Sequence, residues 1–254
     1  MGVLNVTPDS FYDGGRYFGC ERAIARALEM VAEGADIVDV GGESTRPGAA
    51  PVDAEEELAR VLPVVEALAG TVRVSIDTSK RAVARAAVAA GASLVNDVTA
   101  SIADVAAETG AGYVAMHMRG SPSDMQAAPA YDDVVAEVAA FLAGRASEAE
   151  RLGVGEVWVD PGIGFGKTVR HNLELLCAIP ELAGLGWPVL IGTSRKSFLG
   201  KITRGGGPED RFEASIATAA YALASGASMV RVHDVAATVA ARRILTEDVA
   251  EVPR

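Results

Sequence analysis

The chain has 254 residues, of which half are hydrophobic and only 5% are aromatic, so its core is built mainly from Ala, Val, Leu and Ile. This length suits one large α/β domain or two small ones, and without a linker or low-complexity tract we expect one domain over residues 1–254. The 23 Lys and Arg against 34 Asp and Glu give a net charge of -11. That balance argues against nucleic acid as a partner, because such binding neutralises phosphates with basic side chains.

The cysteines and the N-terminal residues indicate the compartment. Cys20 and Cys177 are far apart, which fits reduced thiols better than a disulfide framework. Residues 1–9 contain neither a basic region nor an apolar run of signal length. No segment reaches the ~20 apolar residues of a membrane span, so we expect a cytoplasmic protein without a membrane partner.

Short apolar, β-branched runs predict eight strands. They are Met1 to Val6, Asp36 to Val40, Val72 to Ile76, Leu94 to Val98, Tyr113 to Met118, Val157 to Val159, Val189 to Ile191 and Met229 to Val232. Ala-rich stretches with helical spacing lie between most of them: Glu21 to Ala32, Ala54 to Leu68, Arg81 to Ala90, Tyr131 to Leu152, Phe212 to Ala224 and Val235 to Leu245. Eight units average about 32 residues, which predicts an α/β fold of the (β/α)8 (TIM) barrel type. The alternative is a doubly wound open sheet, which binds ligands at a switch point between strands.

Polar side chains lie at or just after the C-terminal end of every predicted strand. In a barrel these C-terminal strand ends meet on one face, where the active site of this fold lies. In chain order they are Asn5, Thr7 and Asp9; Glu43, Ser44, Thr45 and Arg46; Asp77; Asn96 and Asp97; His117 and Arg119; Asp160; Ser194, Arg195 and Lys196; and Arg231, His233 and Asp234.

Several of these residues also have a purely structural interpretation. Asp77 precedes Thr78 and could serve only as the N-cap of the next helix. Asn96 and Asp97 interrupt an apolar strand, where an unpaired polar group costs several kcal/mol, so at least one of them is expected in a buried network or on a ligand. His117 is more typical of a packed core histidine than of a catalyst.

For two further residues and one glycine-rich segment, a structural role is either possible or preferred. Arg195 is either part of the site or an outward salt bridge, and we take His171 as structural. The glycine-rich stretch 162–168 lacks the first glycine of a phosphate-binding P-loop, because Pro161 occupies that position. It lacks dinucleotide-binding spacing as well, which favours a simple turn.

An acidic protein needs a local cationic pocket to hold an anionic substrate, because its net charge does not attract one. The side chains available at the predicted barrel mouth are Arg46, Lys196, Arg231 and His233.

Eight motifs, in register along almost the whole chain, resemble those of the dihydropteroate synthase family. They are the runs Asn5 to Phe11 with Asp13 to Gly15, Asp39 to Gly48, Ser75 to Thr78, Val95 to Val98, Met116 to Gly120, Asp160 to Phe165, Ser194 to Gly200 and Arg231 to Val235. The resemblance implies a homodimeric barrel that joins p-aminobenzoate to 6-hydroxymethyl-7,8-dihydropterin pyrophosphate with the help of Mg²⁺. The products are 7,8-dihydropteroate, a folate precursor, and pyrophosphate.

The resemblance also assigns roles to residues. The pterin-binding set is Asp77, Asn96, Met116, Asp160, Phe165 and Lys196. The pyrophosphate-binding set is Asn5, Arg231 and His233, with Asn5 also a ligand of Mg²⁺. The p-aminobenzoate-binding set, where sulfonamides compete, is Phe11, Thr45, Arg46, Pro47 and Ser197. The catalytic set is Asp77, Asp160, Lys196, Arg231 and His233.

The implied mechanism is a dissociative substitution at the exocyclic methylene of the pterin. Departure of pyrophosphate leaves a cation that the dihydropterin delocalises and that Asp77 and Asp160 favour electrostatically. The neutral arylamine then attacks without a strong general base. The two mobile loops of the family match residues 7–15 and 44–48, which are expected to close over the substrates.

Two features depart from the family pattern. Thr99 to Ile102 form a shorter, less glycine-rich loop than usual, and Tyr12 stands where a small residue is common.

Two other functions share parts of the family pattern. A pterin-dependent methyltransferase shares the Asp, Asn, Asp pocket but needs neither the 44–48 loop nor Lys196. A non-catalytic pterin-binding paralogue would keep the pocket and lose turnover, although decayed copies tend to lose first the anion site and the loops, which are intact here.

Overall fold

The computed structural model describes residues 1–7, 16–44, 51–121, 124–205, 207 and 209–246, without the side chains of residues 16–18. Six strands pair in parallel in chain order. They are β1 (Gly2–Asn5), β2 (Ile37–Gly41), β3 (Arg73–Asp77), β4 (Leu94–Asp97), β5 (Gly112–Met116) and β6 (Val157–Asp160). A second parallel pair comprises β7 (Leu190–Ile191) and β8 (Met229–Val230).

Two single bridges join these strand sets into a ring. Val159 pairs with Val189 between β6 and β7, and Gly2 pairs with Val232 between β1 and the chain after β8. The backbone N–H of Val232 donates to the Met1 carbonyl, and the N–H of Val3 donates to Val232, both at 2.9 Å. The barrel prediction is therefore confirmed over the open sheet.

Helices alternate with the strands as the repeat predicts. They are α1 (Arg16–Ala32), α2 (Ala54–Leu68), α3 (Arg81–Ala89), α4 (Ala103–Thr109), α5 (Val134–Arg151), α6 (Val169–Cys177), α7 (Ile179–Ala183), α8 (Ser197–Thr203), α9 (Phe212–Ala224), which follows a short 3₁₀ turn (Glu209–Arg211), and α10 (Val235–Thr246). Helix α5 begins three residues later than predicted because Asp133 caps it, accepting from the N–H groups of Val135 and Ala136. None of the helices described is long and apolar enough to cross a membrane.

The inside of the barrel has an apolar floor and a polar mouth. The floor cluster draws one buried residue from most strands: Met1, Ile37, Leu94, Val114, Leu190 and Met229, with Trp158 packed against them. Because side chains alternate between the two faces of a strand, residues two positions further on point the same way. From Leu94, Val114, Trp158 and Met229 this step leads to Asn96, Met116, Asp160 and Arg231. The strand pattern thus places the candidate site residues above the floor.

Asp97, at the end of β4, is fully buried and anchors the loop that follows it. Its carboxylate accepts from the N–H groups of Thr99 (2.9 Å), Ser101 (2.6 Å) and Ile102 (3.0 Å). It also accepts from the hydroxyls of Thr99 (2.6 Å) and Tyr113 (2.9 Å). Burial and the charge of Asp97 raise the pKa of Tyr113, which keeps that hydroxyl a donor. The buried network predicted for at least one residue of the Asn96–Asp97 pair therefore includes Asp97, which secures the short loop after β4.

We expect Asp97→Ala to lower the free energy of unfolding by about 3 kcal/mol, because it leaves several buried donors without an acceptor. Denaturant unfolding measures this loss. Asp104→Ala is the matched control, since Asp104 forms only an exposed ion pair with Arg81 and such pairs contribute little. Equal losses in the two variants would contradict the anchoring role.

Candidate active site

One arginine joins four strands inside the barrel mouth. Arg231, the residue after β8, donates from Nε to Asp39 at 2.5 Å and from Nη2 to Asp77 at 2.6 Å. The Asn96 amide donates to the same Asp39 oxygen at 3.0 Å. The side chain of Asp39 is fully buried, and those of Asp77 and Arg231 are 10% and 22% exposed. We call these four residues the Arg231 network; in it a single guanidinium pairs two carboxylates that would be costly to bury alone.

Burial and charge shift the titration of this network in opposite directions. Burial raises the pKa of Asp77 from 3.8 to about 7, although Arg231 works against the shift. Burial disfavours the charged form of Arg231, but Asp39 and Asp77 outweigh it and hold the pKa above its usual value. The charge of Asp39, which shares the same guanidinium, adds to the upward shift of the Asp77 pKa. Such shifted groups in a cleft are typical of functional sites.

A second set of groups lies on the other side of the mouth. The Asp160 carboxylate, at the end of β6, accepts from the Gly162 N–H at 2.7 Å. Lys196 Nζ donates to the Ile163 carbonyl and lies 4.6 Å from the centre of the Phe165 ring. Burial raises the pKa of Asp160 and lowers that of Lys196 to about 8, and each charge opposes the shift of the other. The ammonium is therefore held by a carboxylate field, a carbonyl and an aromatic face.

The two sets lie within electrostatic range of each other. The charges acting on Lys196 include those of Asp160, Arg231 and Asp77, and Asp160 also acts on Arg231. Met116, which is 4% exposed, pairs in register with Asp160. The structure thus brings together all six residues predicted to bind the pterin.

Asp39 is the site residue that the sequence analysis missed. It was part of a recognised motif but carried no predicted role, although a signal was present. A carboxylate in the middle of the buried strand Ile37–Gly41 breaks the apolar run in the same way as Asn96 and Asp97 do in β4. Its side chain points into the barrel toward an arginine 192 residues away in sequence. That partner is visible only in the fold.

The residues predicted to bind pyrophosphate divide between two places. Arg231 is inside the network, whereas Asn5, at the end of β1, and His233 line a separate cavity of about 220 Å³ that Arg26 and Met30 of α1 also line. Ser194 Oγ holds His233 by its backbone N–H at 3.1 Å and by Nδ1 at 2.9 Å. The end of β1 and the segments after β7 and β8 therefore meet at one edge of the mouth.

Arg195 and His117, for which the sequence also allowed a purely structural role, have that structural role in the fold. Arg195 forms a salt bridge to Asp234, with contacts of 3.1 and 2.6 Å, and its side chain is 38% exposed. His117 is buried, meets the Phe141 ring edge-on at 4.9 Å and lies 2.9 Å from Lys167 Nζ. Burial and the neighbouring ammonium lower the pKa of His117 to about 3, so it is a neutral, packed ring.

The remaining predictions concern the mobile loops. Phe11, Thr45, Arg46 and Pro47 lie outside the described residues, as does Tyr12. Ser197 is exposed at the start of α8, directly after Lys196. Ser197 is therefore the member of the p-aminobenzoate-binding set that lies among the described residues.

The chain is similar to proteins of one family over nearly its full length. A family model described as "Pterin binding enzyme" matches residues 1–233. The dihydropteroate synthase of Escherichia coli (strain K12) is 46% identical over 253 residues, covering 96% of this chain and 89% of that protein. The solved structure of Xanthomonas albilineans dihydropteroate synthase in complex with 7,8-dihydropteroate matches with a TM-score of 0.88 and 45% identity, covering 100% of this chain and 94% of that one. The Yersinia pestis dihydropteroate synthase with a sulfonamide drug matches with a TM-score of 0.90 and 44% identity, covering 96% and 92%.

The raised pKa of Asp77 predicts a pH-dependent cost of folding. Between pH 4 and pH 7 the folded protein binds this proton more tightly than the unfolded chain, so the cost of the ionised carboxylate grows as pH rises through this window. We expect Asp77→Asn to gain about 2 kcal/mol of unfolding free energy relative to the wild type between pH 5 and pH 8. Denaturant unfolding of the ligand-free protein at both pH values measures the gain.

Asp104→Asn is the control, because the pKa of this exposed carboxyl is lowered and it stays ionised across the window. A constant difference between Asp77→Asn and the wild type would mean that Asp77 is ionised throughout.

Proposed function

We infer that the chain, which belongs to the pterin binding enzyme family, is a dihydropteroate synthase. It condenses p-aminobenzoate with 6-hydroxymethyl-7,8-dihydropterin pyrophosphate, giving 7,8-dihydropteroate and pyrophosphate in folate biosynthesis. The observation that carries the proposal is the convergence of Asp77, Asn96 and Asp160 beside Lys196 at one barrel mouth.

These four side chains match the edge of a pterin in chemistry. The ring edge offers several N–H donors and a carbonyl acceptor, whereas carboxylates accept, an amide does both and an ammonium donates. Hydrogen bonds to charged partners are the stronger ones. Asp160 and Lys196 already carry opposed charges in a buried place, so a bound pterin meets oriented partners rather than mobile water.

The reaction begins when the bond between the exocyclic methylene and the pyrophosphate oxygen breaks, with the electron pair leaving on pyrophosphate. The cation left behind is spread over the electron-rich dihydropterin, and the field of Asp77 and Asp160 favours it. The arylamine nitrogen then forms the new C–N bond and releases a proton. Because a neutral arylamine is already nucleophilic, neutral His117, which is packed away from this chemistry, is not needed as a base.

In this proposal Arg231 and His233 lie where the pyrophosphate departs, and they supply positive charge or hydrogen-bond donors to it. Arg231 is held by two carboxylates, so it is fixed before the substrate arrives, and its charge needs no reorganisation during bond cleavage. His233 is fixed through Ser194, beside the cavity that it shares with Asn5. An anion at this edge would meet these groups from two sides.

The residues at the end of β1 fit a magnesium ion. Mg²⁺ takes oxygen ligands and commonly uses only one or two from the protein, with substrate phosphates and water completing its shell. Among the described residues, the Asn5 amide has no hydrogen-bond partner, and its oxygen is a suitable ligand beside the cavity lined by His233. When bound, the ion would offset charge developing on the pyrophosphate.

The proposed compartment is the cytoplasm, where thiols stay reduced. Cys20 and Cys177 are both free, the first half-buried in α1 and the second exposed at the end of α6. Unpaired thiols of this kind support the proposal.

The proposed assembly is a homodimer that uses α9 and α10. These two helices pack together and carry Phe212, Tyr221, Ile244 and Leu245, four of the eight large hydrophobic side chains that are exposed in the described part of the chain. Tyr221 is 47% and Ile244 83% exposed. Exposed apolar side chains on two neighbouring helices would be covered by a second copy of the chain in this assembly.

We expect the wild type to sediment at twice the monomer mass and Tyr221→Lys to shift toward the monomer, because a lysine is costly to bury at an apolar interface. Leu28→Lys is the control, since Leu28 on α1 is similarly exposed, at 45%. Analytical ultracentrifugation at micromolar concentration gives the masses, and a monomeric wild type would refute this assembly.

The test of the function is pyrophosphate release by the purified protein with pterin pyrophosphate, p-aminobenzoate and Mg²⁺. We expect release that depends on both substrates and that a sulfonamide inhibits in competition with p-aminobenzoate. Pterin binding without release would instead indicate the non-catalytic paralogue. Methyl transfer in a separate reaction that supplies a methylated reduced pterin and a thiol acceptor would indicate the methyltransferase.

Two substitutions separate the proposed roles within the site. We expect Asp160→Asn to weaken pterin binding about tenfold, because it removes a charged acceptor from the pocket. We expect Arg231→Ala to lower kcat about 100-fold, because it removes charge that stabilises the departing pyrophosphate. Calorimetric titration with 6-hydroxymethylpterin and steady-state kinetics measure the two effects.

Asp36→Asn and Arg242→Ala are matched controls, since these residues form an exposed ion pair at the start of β2 and on α10. Arg231→Lys guards against misfolding, because Arg231→Ala leaves two buried carboxylates unpaired. Equal and small effects of Asp160→Asn and Arg231→Ala would show that the roles are misassigned.

A further inference from the structure

The loop after β6 is held by an unusual set of contacts. Three of its glycines, Gly162, Gly164 and Gly166, have φ values of +67°, +86° and +63°. A Cβ at Gly162 would lie 1.8 Å from the His117 carbonyl oxygen, so this position requires glycine. Four consecutive carbonyls of the loop each accept from a different side chain: Ile163 from Lys196, Gly164 from Gln126 at 2.6 Å, Phe165 from Lys167 at 3.0 Å and Gly166 from Tyr131 at 2.9 Å. We call residues 162–166 the carbonyl loop.

Lys167 connects the carbonyl loop to the neighbouring strand end. Its side-chain nitrogen lies 2.9 Å from His117 Nδ1, 3.3 Å from the His117 carbonyl and 3.0 Å from the Phe165 carbonyl. The residue is 3% exposed. Because His117 is neutral, its Nδ1 can accept, and in its charged form the lysine has three acceptors for its three protons. Burial lowers the pKa of Lys167 to about 7, while the charge of Asp160 opposes that shift. The end of β5 and the loop after β6 are thus tied by one buried side-chain nitrogen.

The carbonyl loop in turn sets the positions of the pterin-binding groups. Its Gly162 N–H binds the Asp160 carboxylate, its Ile163 carbonyl binds the Lys196 ammonium, and its Phe165 ring covers that ammonium. A Cβ at Gly164 would approach Lys196 Cδ to 3.0 Å, which shows how closely the loop and the lysine pack. Any shift of the loop therefore displaces three pocket residues at once.

Burying an ammonium is costly, and an apolar side chain of similar length fills such a site with equal or better stability in many proteins. What an apolar side chain does not provide is three directed hydrogen bonds between two separate segments. The advantage of lysine at this place is therefore geometric, in fixing the loop relative to β5.

We propose that Lys167 is a positioning residue of the pterin pocket: by tying the carbonyl loop to His117 it holds Asp160, Phe165 and Lys196 in the arrangement that binds the pterin. This rests on the proposed function, which makes those three residues pterin-binding. Lys167 itself does not contact the substrate, because its three donors are used within the protein. The Tyr131 hydroxyl donates to the Gly166 carbonyl of the same loop and makes a smaller contribution to its position.

The test compares Lys167→Met and Tyr131→Phe with the wild type and with Lys201→Met, in which the same change is made at an exposed lysine on α8. Calorimetric titration with 6-hydroxymethylpterin should show a Kd raised at least tenfold in Lys167→Met and about threefold in Tyr131→Phe. Lys201→Met should stay within twofold of the wild type. The KM for pterin pyrophosphate should rise in parallel, while the KM for p-aminobenzoate changes less than threefold.

A purely structural role gives a different result. Folded Lys167→Met would then have a lower Tm but a wild-type Kd for the pterin, and that outcome overturns the proposal. If Lys167→Met does not fold, Tyr131→Phe decides, because it keeps the ring contacts with Arg119 and His171 and removes only the hydroxyl. A wild-type Kd in Tyr131→Phe then overturns the proposal, and a threefold rise supports it.

The same measurements distinguish this proposal from the proposed function. A wild type that binds the pterin but releases no pyrophosphate refutes the synthase activity and leaves the role of Lys167 to be judged by the Kd values. A wild type that does not bind the pterin refutes both.

Discussion

The sharing of Arg231 between Asp39 and Asp77 is the contact on which the candidate site depends. Each of the three groups would be expensive to bury alone, and their pairing inside a low-dielectric barrel offsets that cost. Asn96 joins through Asp39, so β2, β3, β4 and the segment after β8 are linked by side chains as well as by backbone hydrogen bonds.

The two sides of the barrel mouth are held by different means. On the Arg231 side, ion pairs between strand residues fix the groups. On the other side, backbone carbonyls of the carbonyl loop accept from lysines, a glutamine and a tyrosine, and the glycines make the required backbone conformation available. The ion pairs orient Asp77 and the carbonyl loop orients Asp160 and Lys196 before any substrate binds, as electrostatic stabilisation of a transition state requires.

Because ion pairs and backbone carbonyls fix the charges of the site, few of its residues need to act as acids or bases. The proposed chemistry separates charge and then recombines it, so the protein has to hold charges in place rather than move protons. His117, whose pKa burial lowers to about 3, serves as a neutral acceptor for Lys167. The pKa values of Asp77 and Lys196 are shifted toward neutrality mainly by burial, against the opposing charges of Arg231 and Asp160.

Short apolar runs and the polar residues at their C-terminal ends are local patterns, so the strands, the barrel and most of the polar residues at its mouth could be predicted from the amino-acid sequence. The family motifs are also local, and the pterin-binding set followed from them by resemblance. The side-chain partners are visible only in the folded chain: Arg231 turns toward Asp39 and Asp77, His117 packs against Phe141, and Lys167 ties two segments together. Those pairings join residues up to 192 positions apart, and contacts of that range depend on which strands become neighbours when the ring closes.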